Sequence, residues 1–159
     1  MISLISSLNW SQKKLRHIFR LSRKYNLSST FFGDEVDKSK FILWRHDIDL
    51  DMDAALSHAI IENEENIKST YFLMLKSNFY NIMTGDSFKI IDRLLKLGHR
   101  LGLHCDLGID REKIISNREV ERIVHNNFQT LDHIFGEGIF DRVVSFHNPP
   151  KCVLKQSYS

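Results

Sequence analysis

Cysteine and proline are nearly missing from this chain, which has two of each in 159 residues. Cys105 and Cys152 lie far apart and outside any C-x-x-C spacing. That excludes a disulfide framework and a thiolate zinc site, and it favours a reducing, cytoplasmic setting. No apolar run approaches the length of a membrane span. The N-terminal stretch "MISLISSLNWSQKK" has neither the leading positive charge nor the apolar length of a signal peptide. An excess of one charge is missing too: 22 basic and 20 acidic residues, mixed along the chain, give a net charge of +2. Without a concentrated basic face, nucleic acid is not an expected partner. There is no internal repeat and no low-complexity segment. What remains is 42% hydrophobic and of a length that fits one domain, taken as 1–159.

Apolar periodicity orders that domain. Leu15, Ile18, Phe19 and Leu21 predict a helix from Ser11, a plausible N-cap, to Tyr25. "KFILWR" reads as a first strand, Asp51 to Asn66 as a helix closed by "ENEEN", and "KSTYFLMLK" as a second strand. Phe88, Ile90, Ile91, Leu94, Leu95 and Leu97 make a helix that Gly98 stops, followed by a third strand in "HRLGLHC". A long helix from Asn117 to Phe135 then leads to a fourth strand, "DRVVSFH". Strands separated by helices are the mark of βαβ units and a parallel sheet, so the fold class is α/β, with the core at about 40–150.

In such folds the βα loops converge at the carboxyl ends of the strands. Those ends read "RHDID", "KSNFYN", "LHCD" and "SFHNPP", whereas the opposite ends carry ordinary charges such as "DKSK" and "ENIK". Carboxylates and imidazoles meeting at one point suit zinc or another divalent first-row ion. A further carboxylate beside them could take a proton from water, which is the chemistry of metal-assisted hydrolysis.

The motifs "RHDIDLDMDAAL", "STYFLML" with "FYN", "GHRLGLHCD" and "SFHNPP" resemble, in order, those of the polysaccharide deacetylases, and most closely the branch associated with surface-polysaccharide synthesis. The resemblance covers about Phe41 to Pro150. It implies a (β/α) barrel, a zinc-type divalent metal, and removal of an acetyl group from an N- or O-acetylated sugar, nucleotide-sugar or polysaccharide. It also implies residue roles: Asp47 as the base that activates a metal-bound water, and Asp49 and His104 as ligands. The commoner pattern adds a second histidine where this chain has Gly108. That leaves the third ligand open between His147 and Asp106. His147 also competes for a catalytic role, as the acid that assists the departing amine. Tyr80 and Asn81 are candidate sugar contacts, and Arg45 and His46 candidates for orienting the acid pair.

Plainer readings suffice for other residues. Asp51 and Asp53 fit helix-start charges, His99 fits a turn at the non-catalytic end of its strand, and Cys105 fits a buried, inert thiol. His17, His58, His125 and His133 fall among polar residues of predicted helices and are read as solvated or capping. A complete barrel of this type takes about 200 residues or more, so a partial or distorted barrel is expected, as a truncated domain, a piece of a longer protein or a half completed by homo-oligomerisation. A carbohydrate-binding relative without activity and a different barrel metallohydrolase are the alternative functions.

Overall fold

Period-two alternation along short parallel strands decides which side chains meet in this molecule. The computed structural model describes residues 2–35 and 40–155. Of the charges in "DKSK" ahead of the first predicted strand, Asp37 and Lys38 lie outside the described residues. The chain runs α1 (Ile2–Lys24), β1 (Ser28–Thr30), β2 (Phe41–Leu43), β3 (Arg45–Ile48), α2 (Met52–Glu64), β4 (Thr70–Leu73), α3 (Gly85–Lys96), β5 (Arg100–Asp106), α4 (Asn117–Phe135) and β6 (Val144–His147), with a short 3-10 turn at Val153–Lys155. β3, β4, β5 and β6 pair in that order, all parallel, as a curled half-barrel sheet. The fold is thus mixed α/β, and the described residues do not close a full barrel. Among them, no helix is long and apolar enough to cross a membrane.

Two expectations change at the start. The predicted first strand "KFILWR" is broken at Trp44: β2 pairs with β1, a strand the sequence reading missed, and only β3 joins the main sheet. Ser11 lies inside α1 rather than capping it. That helix is docked by Arg16, Arg20 and Arg23, which all reach the Glu65 carboxylate at the end of α2. Beneath them Phe19 packs edge-on against Trp44 with ring centroids 5.0 Å apart.

Local chemistry sets the other boundaries. Asp51 caps α2 by accepting from the amides of Asp53 and Ala54, and Ser116 caps α4 through the Glu119 amide. Gly98, at φ +81°, ends α3 with the paired bonds Gly98 N–H to Leu95 and His99 N–H to Leu94. Helices α2, α3 and α4 bury one side of the sheet, where Tyr71, Leu73, Leu101, Leu103 and Cys105 form the core with Ala59, Leu94 and Leu131. On α2 the buried stripe is Met52, Ala55, Ala59, Ile61 and Glu62, so Ala54 and Ile60 face outward.

On the opposite side of the sheet, register aligns Asp47 with Phe72 and Phe72 with Gly102, while His104 lies beside Ser145. Gly102 makes room for the Phe72 ring: a Cβ there would lie 2.6 Å from Phe72 Cε1. Phe32 closes over Phe72 edge-on, at 5.6 Å between centroids, and Arg100 covers Phe31 while pairing with Asp34. One end of this inner face is thereby plugged, and its carboxyl-terminal end is left for polar groups.

A buried carboxylate fastens the helical side. Glu62, fully buried, accepts from His46 Nε2 (2.7 Å), Ser69 Oγ (2.8 Å) and the Tyr71 hydroxyl (2.6 Å). Burial pushes its pKa up, but the His46 imidazole and the two hydroxyls outweigh burial and hold it below its ordinary value. Its contribution to stability is therefore complete above the ordinary carboxyl range and is lost as pH falls through the depressed folded value. Glu62→Ala should cost about 3–5 kcal/mol, the usual cost of breaking a buried pair, in urea denaturation at neutral pH. Wild type should approach the variant's stability in acid. A loss that stays constant down to strongly acid pH would contradict this role.

Candidate metal centre

The inner face brings three of the predicted residues together where β3, β5 and β6 end. Asp49 follows β3, His104 lies in β5 and His147 closes β6. Asp49 Oδ1 is 3.0 Å from His104 Nε2 and 2.9 Å from His147 Nδ1, and the two ring nitrogens are 3.2 Å apart. These ligand atoms form the metal-capable cluster found among the described residues.

The donor set fits a divalent ion. Ligands at about 2.0–2.1 Å from a tetrahedral zinc lie about 3.3 Å from one another, and the observed separations sit just inside that. His104 Nδ1 donates to the Ser145 carbonyl at 3.0 Å, which leaves the Nε2 lone pair facing the cluster. For His147, binding through Nδ1 puts the proton on Nε2. The Asn148 amide nitrogen lies 3.0 Å from Nε2, and turning that amide end for end puts its oxygen there to accept a hydrogen bond from Nε2–H. His104 is only 3% exposed, whereas Asp49 and His147 are 44% and 27% exposed, so the cluster has one sealed side and one side open to a ligand.

Loop contacts hold the exposed carboxylate in place. Ser77 Oγ donates to the Asp49 carbonyl, and the Tyr80 hydroxyl donates to the Ile48 carbonyl while accepting the Met74 amide. Burial pushes the Tyr80 hydroxyl up to about 12, with the Asp49 charge adding to the shift, so it remains a donor. Tyr80, a candidate sugar contact, is thus committed to backbone. Asn81, ahead of α3, accepts the Met83 amide on its side-chain oxygen and the Ser87 hydroxyl on its carbonyl, and is exposed.

Asp47 sits one strand step before Asp49, and its two oxygens differ. Oδ2 accepts from Arg45 Nη2 (2.8 Å) and Ser145 Oγ (2.9 Å), while Oδ1 is buried with no hydrogen-bond partner among the described residues. Arg45 therefore orients the acid as expected. His46 does not. As the residue between Arg45 and Asp47 it points to the other side of the sheet, where it binds Glu62 and stacks on Tyr71 at 4.7 Å. Asp106 is also outside the cluster: its Oδ1 accepts the Gly108 amide in a turn that Gly108 completes at φ +63°. Of the two candidates for third ligand, only His147 is in the cluster.

Ser145 is the participant that sequence reasoning passed over. Its hydroxyl holds Asp47 and its carbonyl holds His104, and the signal was its place two residues before His147 in "SFH". The remaining plain readings agree with the structure. His99 Nε2 meets the Ala59 carbonyl, Cys105 is buried with its thiol pushed up to about 11 by burial, and His17, His58, His125 and His133 are exposed.

Titrated with zinc, the chain should take up one ion, read by metal analysis after dialysis. Asp49→Ala, His104→Ala and His147→Ala should each weaken uptake at least about tenfold, whereas Asp106→Ala should not. Uptake unchanged in the three ligand variants would place the ion elsewhere. No family model, curated protein or solved structure matches the chain.

Proposed function

We propose that the chain is a metal-dependent hydrolase of the polysaccharide deacetylase type, removing an acetyl group from an acetylated sugar. The observation that carries this reading is the convergence of Asp49, His104 and His147 on one point, one strand step from a carboxylate with a free buried oxygen. A divalent ion bound there, zinc by its ligand set, supplies Lewis acidity for an acetyl carbonyl and acidifies water.

The chain's own residues do the rest. Asp47 Oδ1, with its lone pairs uncommitted, takes a proton as the water oxygen attacks the acetyl carbon. Arg45 and Ser145 fix Asp47 through its other oxygen and so set the direction of that transfer. The carbon–nitrogen or carbon–oxygen bond of the substrate then breaks, and the same proton passes from Asp47 to the leaving sugar atom. Acetate and the free sugar group are the products. His147 acts here as a ligand through Nδ1, which sets aside its other candidate role as acid.

Acetate release from N-acetylated and O-acetylated sugars and nucleotide-sugars tests the reading. Asp47→Asn should lower turnover by at least about a hundredfold, within the usual range for general-base loss, with zinc uptake retained. Ser145→Ala should lower it less, by about tenfold, since the base loses one anchor but stays in place. Sugar binding with no acetate release from wild type would favour the inactive carbohydrate-binding relative. Release unaffected by Asp47→Asn would remove Asp47 from the base role.

A further inference from the structure

His104 borders more than the cluster. A cavity of about 290 Å³ lies against it, walled by Leu75 and Lys76 from the end of β4 and by Ile123 and Asn127 from α4. A second cavity of about 370 Å³ shares those four walls and extends to Met83, Thr130 and Ile134. The two form one groove that starts at a metal-facing histidine and runs outward along α4. Each part alone is at the small end of ligand sites, about 300–1,000 Å³, so the whole groove suits more than one monosaccharide.

The lining is particular. Ile123, Asn127, Thr130 and Ile134 recur at helical spacing on α4, giving apolar patches with an amide and a hydroxyl between them. Asn127 spends its side-chain N–H on the Ile123 carbonyl (2.9 Å), which leaves its oxygen as an acceptor for a sugar hydroxyl. Lys76 lines both cavities, is exposed, and has no ion pair among the described residues. The acidic group at the inner end, Asp106, has Oδ1 tied to the Gly108 amide. The outer cavity, by contrast, is lined by Lys76 and by no acidic residue, and a lysine amid groups of sugar-like polarity matches a negatively charged sugar.

We propose that this groove is the subsite for an anionic part of the substrate, a sugar carboxylate or phosphate that pairs with Lys76 while the acetylated residue lies at Asp49, His104 and His147. The proposal rests on the deacetylase reading for what lies at its inner end. It makes Lys76 a specificity determinant that touches substrate away from the reacting atoms.

Binding is measured on the full chain by nuclear magnetic resonance titration, following the backbone amides of Lys76, Ile123 and Asn127. The probes are N-acetylglucosamine, its 1-phosphate, a disaccharide of N-acetylglucosamine and glucuronic acid, and inorganic phosphate. At least one of the two charged sugars should bind about tenfold more tightly than the neutral one, the scale of one charge-assisted contact, and which one does identifies carboxylate or phosphate. Lys76→Met should erase the preference and leave neutral-sugar affinity unchanged, while Lys13→Met, on exposed α1, should change neither. Equal affinities for all three sugars, no binding, shifts outside the groove, or inorganic phosphate binding as tightly as the charged sugars would overturn the proposal. Acetate release separates the two readings. Charged-sugar binding that depends on Lys76 without release sinks the activity alone, and release from the preferred charged sugar that is indifferent to Lys76→Met sinks the groove alone.

Discussion

The hydrogen bond from His104 Nδ1 to the Ser145 carbonyl is the interaction on which the candidate centre depends. It fixes the ring's tautomer, so that Nε2 presents a lone pair where Asp49 and His147 converge. Ser145 can make it because β5 and β6 are in register at that position, and its hydroxyl at the same time anchors Asp47. One residue on the last strand thus sets both the ligand and the candidate base, from a backbone carbonyl and a side chain that cannot move independently. A shift of β6 by one residue would exchange its two faces and take Ser145 and His147 out of the site together.

The sheet is asymmetric for the same reason. Its helical side carries continuous apolar packing and one buried carboxylate, Glu62, which ties α2 to β3 and β4 through His46, Ser69 and Tyr71. The other side carries the polar residues, plugged at one end by Phe32 over Phe72 and open at the other. His46 and Asp47 are neighbours in sequence yet belong to these two different networks. Strain or loss in the Glu62 network would therefore reach the site through the placement of β3 rather than by contact.

Much of this was legible in the sequence. Helix α4 was placed from about Asn117 to Phe135 because a strong apolar stripe runs up to Gly136 and Gly138, and Gly98 marked the end of α3 in the same way. Asp49, His104 and His147 stand at strand ends, where polar groups were expected, and their candidate ligand roles came from the family resemblance, with Asp106 as the alternative to His147. The misses have physical causes. β1 and the break at Trp44 arise from pairing between distant short segments, which leaves almost no local pattern. His46 was a candidate for orienting the acid pair, although alternation along a strand sends it to the face opposite Asp47. Glu62 was hidden in the acidic run "ENEEN", but it continues the Met52, Ala55, Ala59 spacing, and a charge on that stripe was the sign of a buried pair. The reach of Tyr80 to the Ile48 carbonyl depends on loop geometry that no periodicity encodes.

X-ray absorption at the zinc edge of the metal-loaded chain tests the central claim most directly. The expected result is a shell of nitrogen and oxygen at about 2.0–2.1 Å with the outer scattering of two imidazoles, dropping to one imidazole in His147→Ala. A sulfur ligand from Cys105 or Cys152, or a shell of oxygen alone, would contradict a centre built from Asp49, His104 and His147.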